Sequence, residues 1–183
     1  KLYIARRKMK MEIKTLEVKN ISHYARGSEE TPCYNATVYI NGKKAIEISN
    51  DGRGGMDYQH SYPDFGDGRE GIVQKANEWC VKTFGQESFK FMADGKEETC
   101  TYDIDLEHHC HNELYKWLDT KTLKRDLKKQ YLFVENGQLM GYKKKSNDTD
   151  TAFKHFFEKK HPNEKCLNFL PFDDALKLFK ECA

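Results

Sequence analysis

Period-two alternation of apolar and polar residues marks the first ordered segments. Residues 12–21 read as a strand, and Cys33–Ile40 places Tyr34, Ala36, Val38 and Ile40 on one face with more polar residues between them. Asn41-Gly42 then reverses the chain. With a two-residue loop, Thr37 would sit opposite Ile46 and the apolar faces of the two strands would lie on opposite sides of the sheet. A one-residue slip realigns them. The expectation is a bulged hairpin with a three-residue loop, Ile40-Asn41-Gly42, that pairs Ala36 with Ile46 and Tyr34 with Ile48.

The period then changes. Ile72, Val73, Ala76, Trp79 and Cys80 recur at helical spacing, with Asp67 and Glu70 as N-cap and N3 residues and Gly85 as the stop. Ser88–Met92 alternates again as a short strand before Asp94-Gly95. A second helix is expected to start near Asp103 to Asp105 and turn Leu106, Cys110, Leu114 and Trp117 inward, followed by a separate short helix over residues 122–129. Residues 131–134 and 138–142 flank Glu135-Asn136-Gly137 as a second hairpin. Residues 143–150 have the composition of a solvated linker. Beyond it, Phe153, Phe156 and Phe157 mark a short helix ended by Pro162, and Ala175, Leu176 and Phe179 an amphipathic helix after Pro171.

The pattern predicts an α+β fold: a small antiparallel sheet built from hairpins and packed by two or three helices, with a C-terminal helical appendage. The expected division is a core over residues 11–145, an appendage over residues 151–183, and a basic extension over residues 1–10.

At 183 residues, 38% hydrophobic, 33% charged and 13% aromatic, the chain suits a small core rich in aromatic side chains. The net charge of +2 hides blocks: residues 1–20 sum to +5, residues 94–113 to −6 and residues 121–145 to +6. The sequence pI of about 8.2 is lower than expected of a dedicated duplex binder. Six dispersed cysteines form no CxxC pair, which excludes a zinc ribbon or a thioredoxin-like motif and suits reduced, mostly buried thiols. The basic first residues lack the apolar stretch of a secretory signal, and no run reaches membrane-spanning length, so a cytoplasmic location is expected.

The segment Asn50–Gly68 is the most suggestive stretch. Gly52, Gly54 and Gly55 could set backbone amides around an anion with Arg53 adding charge, while Tyr58, His60 and Tyr62 offer flat contacts. The plainer reading is a glycine-rich turn ordered by Tyr58 and Tyr62. Asp51, Asp57, Asp64 and Asp67 could instead hold a cation, although EF-hand spacing is absent. The expected ligand site therefore comprises Asn50, Asp51, Gly52, Arg53, Gly54, Gly55, Tyr58, His60 and Tyr62. Gly66–Gly71 spells the dinucleotide fingerprint, but it lacks a βαβ context and carries Asp67 and Glu70 where a pyrophosphate would sit.

Two further clusters carry chemistry. Residues 103–113 gather four acids, Asp103, Asp105, Glu107 and Glu113, with His108, His109, Cys110 and His111. On a helix, Glu107 and His111, or His109 and Glu113, share a face at i and i+4. Zincin spacing is not met, and the metal expectation rests on His108, His109 and His111; the plain alternative is an acidic helix start. Lys121, Lys124, Arg125, Lys128, Lys129 and Lys143–Lys145, interleaved with Tyr131, Phe133 and Tyr142, form a basic strip with possible stacking platforms for nucleic acid, or a solvated hairpin edge. Spacing alone assembles no nucleophilic triad.

Ser28-Glu-Glu-Thr-x-Cys33-Tyr34, Tyr39-Ile-Asn-Gly-Lys43 and Ser49-Asn-Asp-Gly-x-Gly-Gly55 together resemble a group of small uncharacterised proteins encoded by tailed bacteriophages and related mobile elements. Leu123-Lys-Arg-x-Leu-Lys-Lys129 and Phe133-Val-x-x-Gly137 extend the likeness, which covers about residues 12–145. The resemblance implies an accessory protein acting in the cytoplasm of a bacterial host. Three functions follow as expectations: a non-catalytic protein that occupies a host protein or other macromolecule, or sequesters a small phosphorylated ligand, through residues 50–68; a metal-dependent hydrolase or nuclease centred on residues 103–113; and a nucleic-acid module using residues 121–145. No cofactor is named by the sequence.

Overall fold

Four antiparallel strands in simple chain order build the first sheet of the computed structural model, which describes residues 12–65 and 71–182. The chain divides into two units, Lys1–Leu114 and Tyr115–Ala183, and the fold is α+β. In unit 1 the sheet is β1 (Leu16–His23), β2 (Tyr34–Ile40), β3 (Lys43–Asn50) and β4 (Tyr58–Ser61). As the alternation demands, Tyr34, Ala36, Val38 and Ile40 are all buried.

The β2–β3 turn differs from expectation in an instructive way. Asn41 and Gly42 both have positive φ, 50° and 79°, and form a two-residue loop between the paired Ile40 and Lys43. The extra residue lies in β3 instead: pairing shifts between Val38 and Tyr39, so Ala45 and Ile46 are adjacent yet both buried. Ile46 then faces Val38, and Ile48 faces Ala36. The slip needed to align the apolar faces is present, but a bulge supplies it. Asn41 also clamps the incoming chain, since its Oδ1 accepts from the Lys14 and Thr15 amides at 2.8 and 3.1 Å.

Helix α1 (Ile72–Phe84) packs on β3 and β4 through Ile72, Ala76 and Cys80 and stops at Gly85, whose φ is 74°. Its N-cap is Gly71, with no side-chain capping bond; the expected cap residues Asp67 and Glu70, like Gly66, Gly68 and the 1–10 extension, lie outside the described residues. Strand β5 (Gln86–Ala93) pairs with β6 (Lys96–Asp103) across Asp94-Gly95 as a hairpin that leaves Phe89, Phe91 and Met92 exposed. Strands β4 and β6 were not expected from the pattern, because their side chains are largely solvated and show no apolar alternation.

Helix α2 (Leu106–Lys129) starts where expected, with the His108 amide donating to Asp105 Oδ1 at 2.9 Å. The separate third helix does not exist. Residues 119–122 contain neither Gly nor Pro, so nothing interrupts the helix, and the two units divide within it after Leu114.

Unit 2 takes the rest of α2, β7 (Gln130–Glu135), β8 (Gln138–Lys143), α3 (Asp150–Lys160), β9 (Lys165–Cys166) and α4 (Phe172–Cys182), with strand order β8-β7-β9. Strand β7 is buried on both faces. One cluster joins Leu123, Leu132, Leu167, Ala175 and Phe179; the other joins Tyr131, Phe133, Phe157 and Cys166. The structure thus groups residues 115–145 with the C-terminal helices, where the sequence expectation drew its boundary at residues 146–150. Asn168 fastens this group by accepting from the Leu132 amide at 2.8 Å and donating to the Leu127 and Gln130 carbonyls, both at 3.1 Å.

Candidate functional site

The two motif stretches Ser28–Cys33 and Asn50–Gly55 lock together. Gly52 O accepts from the Glu29 and Glu30 amides at 2.9 Å and from the Thr31 amide at 3.3 Å. Only glycine fits position 52: φ is +86°, and an added Cβ would lie 1.9 Å from Gly27 O. Thr31 donates its hydroxyl to Asn50 Oδ1 at 2.7 Å and accepts the Gly54 amide at 3.2 Å.

Asn50 is the hub. Its Oδ1 accepts from Thr31 and from the Gly52 amide (2.8 Å), and its Nδ2 donates to Asp57 Oδ1 (3.0 Å) and Gly55 O (3.3 Å), which uses all four of its hydrogen-bonding positions. The Arg53 amide donates to Asp51 Oδ1 at 3.2 Å. Of the three glycine amides expected to grip an anion, those of Gly52 and Gly54 are therefore spent inside the loop, as is the amide of Arg53 between them. The loop is also shorter than its composition suggests, because Tyr58 and His60 belong to β4, both exposed. Arg53 and Met56 are exposed as well, and Tyr62 is half-buried.

Asp57 closes the loop onto α2. Its side chain is fully buried; Tyr34 donates its hydroxyl to Oδ2, Asn50 donates to Oδ1, and His111 Nε2 lies 3.3 Å from both oxygens. The His111 ring stands edge-on to Tyr34 with centroids 5.7 Å apart. Glu107, one helical turn before His111, accepts the Asp57 amide. Donor atoms of Asp57, Glu107 and His111 all lie within 4.8 Å of one another.

The electrostatics follow from this geometry. Burial pushes the Asp57 carboxyl upward, but hydrogen bonds from His111, Tyr34 and Asn50 outweigh it and hold the group below its ordinary value. Burial and the Asp57 charge raise Glu107. The hydrogen bond to Asp57 raises His111 against the opposing effect of its burial. Burial and the bond to Asp57 push the Tyr34 phenol far upward. A buried carboxylate, a histidine whose protonated form that carboxylate favours, and a second carboxyl shifted upward form a set that can exchange protons or, with His111 unprotonated, bind a divalent cation.

The three histidines expected to share a metal do not converge. His108 bonds Asp105 at 2.8 Å and stacks on Tyr102, and His109 stacks on Phe84; only His111 reaches the polar centre. Successive helical positions diverge around the axis, so His111 shares a face with Glu107 and not with its histidine neighbours. Tyr34 and Asp57 complete the centre, and the signals available for them were the motif tyrosine and an acid in a glycine-rich loop.

Of the cysteines, Cys80, Cys110 and Cys166 are buried and Cys100 is exposed; burial raises the Cys80 thiol to about 12. Among the described residues, no helix is long and apolar enough to cross a membrane. The chain matches no family model, and no match to it was found among curated proteins or solved structures.

Proposed function

We propose that the protein is a binding module that occupies a macromolecular partner, a host protein in a bacterial cytoplasm, through the face formed by residues 51–57 and β4. One observation carries this reading: a loop whose backbone is fastened by Asn50, Thr31 and Asp57 projects Arg53, Met56, Tyr58 and His60 outward. Met56 is 81% and Tyr58 57% exposed, and Met, Tyr and Arg are residue types that interfaces favour. A rigid loop binds at lower entropic cost than a mobile one. The small phosphorylated ligand is the weaker form of this reading, since two of the three amides that would cradle it, those of Gly52 and Gly54, already have acceptors. In co-purification from the bacterial host, wild-type protein retains a stoichiometric partner, and Arg53→Ala with Tyr58→Ala loses it without a change in melting midpoint. Retention of the partner by that variant, or a large loss of stability, reassigns the loop to structure.

A second reading rests on a different observation, the convergence of Asp57, Glu107 and His111. Three protein ligands leave coordination positions for water, which suits metal-dependent hydrolysis. Tyr34 and Asn50 would orient Asp57 from behind, as outer-shell donors do. Calorimetric titration with Mn²⁺ and Zn²⁺ tests it: binding is lost in Asp57→Asn and strengthens with pH as His111 gives up its proton. Absence of binding to either metal removes this reading and leaves the first intact.

A further inference from the structure

The C-terminal half of α2 carries its cations in a row. Lys121, Lys124, Arg125 and Lys128 follow i, i+3, i+4, i+7 spacing, so they share one face of a rigid helix. Beside them lies an open groove of about 520 Å³, lined by Trp117, Lys121, Lys124, Arg125, Lys128 and Lys129. A second groove, of about 490 Å³, shares Lys128 and Lys129 and adds Gln130 of β7, Lys143 of β8 and Lys144 just after it. The shared lysines make the two grooves one continuous basic track within unit 2.

Little in the fold neutralises that track. Asp126 pairs with Arg125 at 2.8 Å and Asp150 lies 3.8 Å from Lys144, while Asp119 turns to Lys180 at 4.0 Å. Lys121, Lys124, Lys128, Lys129 and Lys143 make no carboxylate ion pair among the described residues. Unit 2 as a whole has fifteen Lys and Arg against ten Asp and Glu, and unit 1 sixteen against nineteen. The positive field is therefore local to the second unit.

The aromatic residues interleaved with these lysines decide the mode of binding. Tyr131 and Phe133 are 1% and 3% exposed; Tyr131 stacks on Phe153 at 3.7 Å and is covered by Lys144, and Phe133 stacks on Tyr142. Trp117 has Lys121 over its ring at 4.6 Å. These rings offer no free platforms for unstacked bases, which single-strand binding exploits. What the face presents is a fixed row of ammonium and guanidinium groups.

We propose that this track binds the phosphate backbone of a nucleic-acid duplex without reading its sequence. Duplex phosphates present a dense line of charge, and contacts to them position a protein and carry no base information. The proposal is independent of the loop face in unit 1.

Fluorescence anisotropy of the full chain with a labelled DNA duplex of about 20 base pairs tests it, with the single strand and poly-glutamate as competitors. Binding is expected near 50 mM NaCl, equal for duplexes of unrelated sequence, with log affinity falling linearly in log salt. Lys124→Glu with Lys128→Glu should weaken it at least about tenfold and lower the salt slope by about 2. Lys124→Arg with Lys128→Arg should bind as wild type, and so should Lys90→Glu in unit 1. No duplex binding at low salt, or wild-type affinity in the charge-reversed protein, overturns the proposal. Tighter binding of the single strand with quenched tryptophan emission replaces it with a stacking mode. Displacement by poly-glutamate at lower charge concentration than by unlabelled duplex replaces it with an acidic protein.

Discussion

The two units solve the same packing problem with opposite chemistry. Among the described residues the buried polar or charged side chains are Asn50 and Asp57, both in unit 1, where a hydrogen-bonded carboxylate ties a loop to a helix. Unit 2 buries rings and aliphatic chains on both faces of β7 and keeps its charge outside. A buried carboxylate is costly unless every partner is in place, so it specifies one arrangement of loop and helix; an aromatic core tolerates more repacking. Unit 1 therefore carries its specificity in an internal network, and unit 2 carries its recognition potential on the surface.

The sharpest way to break unit 1 is Gly52→Ala. The new methyl meets the Gly27 carbonyl at a φ of +86°, and backbone on both sides cannot yield, so a loss of about 4 kcal/mol or more is expected in urea denaturation. Hydrogen exchange should then show lost protection in β3 and β4 with β7 still protected; equal loss in both would erase the distinction drawn between the units.

Asp57→Ala comes next. It leaves Tyr34, Asn50 and His111 without their shared acceptor, and a cost of about 3 kcal/mol is expected by the same measurement. A cost below about 1 kcal/mol would show the network to be ornamental to the fold.

One substitution made in each unit sharpens the contrast. Tyr34→Phe removes a bond to a buried carboxylate and should cost about 2 kcal/mol, whereas Tyr131→Phe removes a 2.8 Å bond to Asp150, whose side chain is 74% exposed, and should cost about 0.5 kcal/mol.

The smallest effect is the pH dependence. Asp57 is held below its ordinary 3.8, so its contribution is complete above that value and lost as pH falls through the lowered one. His111 is held above 6.5, so its contribution is complete below 6.5 and lost as pH rises through the raised value. Stability of unit 1 should fall in acid through Asp57 and fall again above 6.5 through His111, with Glu107, held above 4.5, taking back part of the gain as pH rises past that value; His111→Gln should remove the His111 part of the decline near neutrality. NMR titration of the His111 ring reads the same shift directly.

Much of the fold was legible because it rests on local rules. Alternation in β2, the chain reversals at Asn41-Gly42 and Asn136-Gly137, and Gly85 at the end of α1 are short-range consequences of side-chain period and backbone sterics, although the loop length at Asn41-Gly42 was not foreseen. The solvated strands β4 and β6 were not, because the pairing of exposed strands depends on neighbours far along the chain; the continuity of α2 was missed although residues 119–122 hold no helix breaker. For the site, the shared face of Glu107 and His111 and the suggestive acid Asp57 were each visible in isolation. Their meeting was not, since 54 positions separate Asp57 from His111.

By itself the sequence determined the α+β class, most of the elements and the basic strip, because periodicity, turn residues and net charge are additive along a chain. Only the tertiary structure decided that the Gly52 and Gly54 amides turn inward, that one histidine of three reaches the buried carboxylate of Asp57, and that Tyr131 and Phe133 of the strip are buried. Those outcomes depend on the direction of individual hydrogen bonds and rings, which packing between distant segments sets.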